Sequence, residues 1–143
     1  MPALDIHLRR RGGFFRLIDR PVATEHAPGN PRQELMQSLL KFRDARDWGQ
    51  FHTPKNLAMA LVAEASELLS LFQWTSDTDL EARCREKRSE IEQEIADVYI
   101  YLLFLAHELG IDLDEVAAEK MKLNAEHYPA DKAKGNARKY TEL

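Results

Sequence analysis

The sequence predicts an all-α chain, four helices in a bundle-like arrangement, on three observations. Apolar residues recur three and four apart rather than alternately. Helix start and stop residues stand at the edges of those periodic stretches. No hairpin signal and no internal repeat interrupts them. Asn30-Pro31 supplies an N-cap and a first helical residue, and Leu35, Met36, Leu39, Leu40 and Phe42 carry the helical period toward Asp47, where WGQFHTP breaks it. Thr53-Pro54 repeats the start signal, and the spacing predicts a second helix from Pro54 to Gln73 with Leu57, Leu61, Leu68, Leu71 and Phe72 as its core face. After the loop SDTD, a third helix is expected from about Glu81 to Leu109, closed by Gly110 in a left-handed cap. Asp112 and Glu115 open a fourth, Leu113 to about His127, ended by Tyr128-Pro129, and the polar, basic tail DKAKGNARKYTEL is read as irregular.

A chain of 143 residues with 44% hydrophobic content is enough for one domain, placed over residues 31–143. Residues 1–30 are expected to be a flexible extension. MPALDIHLRRRGGFFRLIDR lacks a continuous apolar stretch with a cleavage site, and PVATEHAPGNP is turn-forming. A net charge of −4 gives no basic field for nucleic acid. The run from Val98 to Ala106 is too short to span a bilayer, which takes about 20 residues. Cys84 is the single cysteine, so no intrachain disulfide framework exists and a reducing compartment, the cytoplasm, is the expectation. The segment DVYIYLLFLAHEL is apolar nearly all round, more surface than one short bundle covers, which points to a homodimer or homotetramer.

The chemistry concentrates in carboxylates. Glu64 and Glu67, three residues apart, project from one side of the second helix, roughly 60° apart in azimuth. Glu94 and Asp97 repeat the spacing on the third, and antiparallel packing of the two helices would gather all four. Two carboxylates about 4 Å apart repel by roughly 4 kcal/mol at an effective dielectric near 20, so the cluster needs a counter-charge. No Lys or Arg lies three or four residues from Glu64 or Glu67 to supply it. Hard oxygen donors without Cys or His favour Mg²⁺ over zinc, and Mg²⁺ is commonly shared with substrate phosphates. Glu90 and Glu92, by contrast, read as a solvated helix face.

E-x-x-E on one helix followed by E-x-x-D on the next, AEASEL at 63–68 and EIADV at 94–98, resembles the MazG-like all-α nucleoside triphosphate pyrophosphohydrolases. RDWGQFHTPKNLAMALVAEASELLSLFQW, EIADVYIYL, HYPADKA and RKYTEL resemble the dCTP pyrophosphatase branch, over roughly Gln33 to the end. One departure from the broad pattern is Ala63, where a further glutamate usually stands. The resemblance implies Mg²⁺-dependent hydrolysis between the α and β phosphates of a nucleotide, dCTP foremost. Glu64, Glu67, Glu94 and Asp97 would be the metal ligands, with Glu64 or Glu67 taking a proton from the attacking water. It implies a base pocket from Trp48, His52 and Trp74, with Tyr101 near the sugar. Lys120, Asn124, Arg138 and Lys139 are the candidates for the phosphates, since a polyphosphate needs cations beyond the metal. Two alternatives stand beside this reading: a related pyrophosphohydrolase preferring another base, and a helical interaction module that binds metal without turnover.

Overall fold

In the computed structural model, which describes residues 30–135, 137 and 139–142, helices form where their capping residues place them. Helix α1 spans Pro31–Asp44, α2 Pro54–Ser70, α3 Leu80–Glu86, α4 Arg88–Glu108, α5 Leu113–His127 and α6 Ala130–Ala133, with 3₁₀ turns at Trp48–Phe51 and Tyr140–Glu142. No strand occurs among the described residues. The expected extension over residues 1–30 lies, up to residue 29, outside them. The described residues fall into two compact units, one within His26–Leu113 and one from Asp114 onward.

In the first unit, the Asn30 side chain accepts from the Arg32 amide at 3.1 Å and Thr53 from the Asn56 amide at 3.3 Å, each followed by the proline that opens α1 or α2. Gly110, at φ +63°, ends α4, and the Ile111 amide reaches back to the Ala106 carbonyl at 2.9 Å. Three boundaries differ from expectation. Helix α1 stops at Asp44 rather than Asp47, because Asp47 turns left-handed (φ 53°) and Gln50 Nε2 donates to its carbonyl and carboxylate at 3.0 and 2.9 Å. Helix α2 stops at Ser70, whose hydroxyl donates to the Glu67 carbonyl at 2.7 Å, and Arg83 Nε takes the Leu71 carbonyl at 2.9 Å. The single third helix is two, divided at Lys87 (φ −100°, ψ 19°).

His52, just before α2, meets the Phe104 ring edge-on at 4.6 Å near the end of α4, whereas Glu64 meets Glu94 and Asp97 ten residues and two turns earlier along it. Helices α2 and α4 therefore run antiparallel, as the carboxylate spacing required. Leu57, 2% exposed, is buried with Leu103, Phe104 and Ala106, and the other expected α2 core residues, Leu61, Leu68, Leu71 and Phe72, are half-buried. Met59, Val62 and Leu69 on α2, and Ile95, Tyr99 and Leu102 on α4, are exposed. Two residues of α-helix is about 200°, so Val62 faces away from Glu64. Cys84 is a half-buried free thiol, and no described helix is long and apolar enough to cross a membrane.

In the second unit, the tail expected to be irregular carries α6 and the closing 3₁₀ turn. Tyr140 stacks on His127 with ring centres 4.4 Å apart and meets Tyr128 edge-on at 6.0 Å, which brings Tyr140 back to the end of α5.

Candidate functional site

Glu64 of α2 and Glu94 and Asp97 of α4 each offer a carboxylate oxygen, and these oxygens lie within 4.8 Å of one another. All three side chains are half-buried, and none has an ion pair among the described residues. Partial burial pushes the Glu64 carboxyl above the usual carboxylate range, and the negative charges of Glu67, Asp97 and Glu94 push it further. Glu67, the fourth expected ligand, is exposed and stands outside the group of three, near enough for its charge to reach Glu64. The neighbouring acids behave as solvated surface. Glu90 pairs with Lys87 Nζ at 2.8 Å and Glu92 with Arg88 Nε at 2.6 Å.

A concentration of like charge with no protein cation beside it suits a hard divalent ion. On an octahedral Mg²⁺ shell with bonds of about 2.1 Å, adjacent ligands stand about 3.0 Å apart and opposite ones about 4.2 Å, so the three oxygens would draw together to share one ion. Three oxygen donors and no nitrogen or sulfur fit Mg²⁺ and not a structural zinc.

A cavity of about 320 Å³ opens beside this cluster, and Asp97 belongs to both. Its wall carries Trp48, His52 and Tyr101, three of the four residues expected around a nucleoside. Leu39, Phe42, Ile100 and Phe104 make the rest of it apolar. Trp48 is fixed by the Phe42 ring, edge-on at 5.9 Å, and Arg46 lies over both rings, its guanidinium 3.6 Å from the centre of Phe42 and 5.8 Å from that of Trp48. Burial lowers the His52 pKa, the Arg43 charge lowers it further, and Glu108 opposes them, so the imidazole is neutral at pH 7. His52 Nδ1 is enclosed and has no hydrogen-bond partner among the described residues.

Trp74, the fourth aromatic, does not line the cavity. It is 90% exposed, in the turn after α2, so the two-turn relation to Glu67 that a continuing helix would give is lost. Lys120 and Asn124 stand one turn apart on α5, and Lys139 adjoins Tyr140, all in the second unit. Arg138 lies outside the described residues. The sequence reading missed Arg43, the one cation on the cavity wall. It donates from Nε to Asp44 and from Nη1 to Glu108, both at 2.8 Å, and these two carboxylates raise its pKa. A signal for it existed: Met36, Leu39 and Arg43 follow one helical stripe, so the cation occupies an inward position in an apolar period.

The chain is similar to known proteins over most of its length. The chain is 40% identical to dCTP pyrophosphatase 1 of Mus musculus over 119 residues, 82% of this chain and 70% of that protein. It is 39% identical to dCTP pyrophosphatase 1 of Homo sapiens over 125 residues, 86% of this chain and 74% of that protein. The crystal structure of a pyrophosphatase from Archaeoglobus fulgidus superposes with a TM-score of 0.70 at 42% identity, covering 73% of this chain and 98% of that one. The MazG-like family model matches residues 59–143, a span that holds all three clustered carboxylates, and this chain belongs to the MazG-like family.

Proposed function

We propose that the chain is a Mg²⁺-dependent pyrophosphohydrolase, its catalytic domain residues 31–143, that hydrolyses dCTP to dCMP and pyrophosphate. One observation carries the reading: Asp97 stands at once in the carboxylate cluster and on the wall of the aromatic cavity. A base and sugar seated in that cavity would have their phosphates directed at the cluster. The names of the relatives, dCTP pyrophosphatase 1, support the substrate, and the likeness to the archaeal pyrophosphatase supports the class of bond that is broken.

Glu64, Glu94 and Asp97 would hold the divalent ion, with Glu67 beside them. When bound, that ion neutralises polyphosphate charge and acidifies a water. The chain's own residues do the rest. Trp48 offers a flat face for the base, a contact worth roughly 1 to 3 kcal/mol per base. His52, neutral, shapes the cavity without adding charge. Tyr101, one turn beyond Asp97 on α4 and on the cavity wall, would lie near the sugar, and a deoxyribose preference follows if it fills the space of a 2′-hydroxyl. Glu64 or Glu67 would take the proton of the attacking water. Trp74 is assigned to the outer face of the base, and Lys120, Asn124, Arg138 and Lys139 to the polyphosphate. The exposed apolar rows of α2 and α4 support a homodimer or homotetramer, and a cytoplasmic enzyme of nucleotide-pool control is the cellular reading.

The test is pyrophosphate release from each of the eight common NTPs and dNTPs with Mg²⁺. Turnover of dCTP well above CTP and the rest is the expected result. Preference for another base would move the substrate assignment, and no release from any of them would leave a metal-binding helical module.

A further inference from the structure

Arg43 has no part in the chemistry described so far, yet its placement is costly. Its side chain is only 15% exposed and borders a cavity lined, apart from Asp97, by aromatic and aliphatic groups. Placing a guanidinium there is unfavourable unless its donors are used. Nε is fixed by Asp44 and Nη1 by Glu108, at 2.8 Å each, and Nη2 has no hydrogen bond among the described residues. The backbone of Gly49 lies beside the same group, and a Cβ there would stand in ordinary contact with Nε, at 3.7 Å. The head group is thus held from two directions, with donor capacity left over.

The guanidinium carries donors and no acceptor, and it does not lose its charge at any ordinary pH. His52 on the same wall is held neutral, in part by Arg43 itself, so Arg43 is the only positive charge that the described lining presents. The nitrogen left over, Nη2, can donate to a ring acceptor. Cytosine has one in N3, whereas thymine and uracil place an N–H at position 3.

We propose that Arg43 is a specificity-determining residue of the cavity, donating from its unused Nη2 to the ring acceptor N3 of the base and thereby separating cytosine from thymine and uracil. This rests on the nucleotide reading given above. Asp44 and Glu108 are positioning residues, since they act by orienting Arg43.

The experiment compares kcat/KM for dCTP and for dTTP in the wild type, Arg43→Met and Arg43→Lys. The ratio does not depend on the fraction of folded enzyme, so a destabilised variant remains informative. The Met variant is expected to lose roughly 10- to 100-fold in the ratio, chiefly through the KM for dCTP, and Lys to restore a minor part because its ammonium cannot be held by Asp44 and Glu108 in the guanidinium's plane. An unchanged ratio in Arg43→Met overturns the proposal. Binding of dCMP and dTMP in EDTA, followed by tryptophan fluorescence, tests Arg43 apart from catalysis. Tighter dCMP binding that Arg43→Met abolishes supports it even if no triphosphate is hydrolysed, and equal wild-type affinities for the two monophosphates refute it even if dCTP is turned over.

Discussion

Replacing Glu64 by glutamine should make the metal-free protein more stable, although it removes a residue of the proposed active site. The three clustered oxygens lie within 4.8 Å, and at that separation two unit charges repel by about 3.5 kcal/mol at an effective dielectric of 20. The side chains are half-buried rather than enclosed, and water screens this to a net of about 1 kcal/mol. For a chain of this size that amounts to roughly 3 to 4 °C in melting temperature. The wild type should instead gain with metal: Mg²⁺ at about 100 times its dissociation constant adds about 2.7 kcal/mol, near 10 °C. Thermal melts in EDTA and in Mg²⁺ should therefore cross, with Glu64→Gln above the wild type in EDTA and below it in Mg²⁺. A variant that melts at or below the wild type in EDTA and keeps the full Mg²⁺ shift would refute the reasoning.

Other outcomes follow from the same coordinates. Trp48→Ala should raise KM for the preferred nucleotide about 5- to 100-fold with kcat little changed, as the loss of one stacking face requires; steady-state kinetics reads the split. His52 is depressed below its ordinary value, so the stability it contributes is present above about pH 6.5 and is lost as pH falls through the lower folded value. The wild-type melting temperature should accordingly fall between pH 7.5 and 5.5 by more than that of His52→Phe. Leu57→Ala, at the most buried side chain, should cost about 2 to 5 kcal/mol in urea unfolding. Val62→Asp with Leu69→Asp, on the exposed row of α2, should shift the mass measured by light scattering toward the monomer.

The capping residues made much of the fold legible. Asn30, Thr53 and Gly110 act locally, through a side-chain acceptor or a tolerated positive φ, and each marks the end that it was read to mark. The boundaries that escaped depend on distant partners. Nothing in LEARCREKRSE breaks a helix, and the division at Lys87 accompanies Arg83 reaching back to the Leu71 carbonyl at the end of α2. Asp47 adopts a left-handed turn that its neighbours do not announce, held by Gln50 three residues on. The acidic spacing was readable because i, i+3 is fixed by helix geometry, and it foretold the meeting of Glu64 with Glu94 and Asp97. The azimuth read for Trp74 presumed a helix that in fact ends four residues earlier. Arg43 was overlooked because its decisive partner, Glu108, lies 65 residues away.

Asp97 is the one side chain common to the carboxylate group and the apolar hollow, which gives the molecule a thermodynamic property of its own. Two ligands that border on a single charge cannot bind independently, and such linkage is reciprocal: whatever factor a cation imposes on nucleoside affinity, the nucleoside must return upon the cation. Discrimination among bases would then be audible at the metal, and a titration of either partner would report the presence of the other.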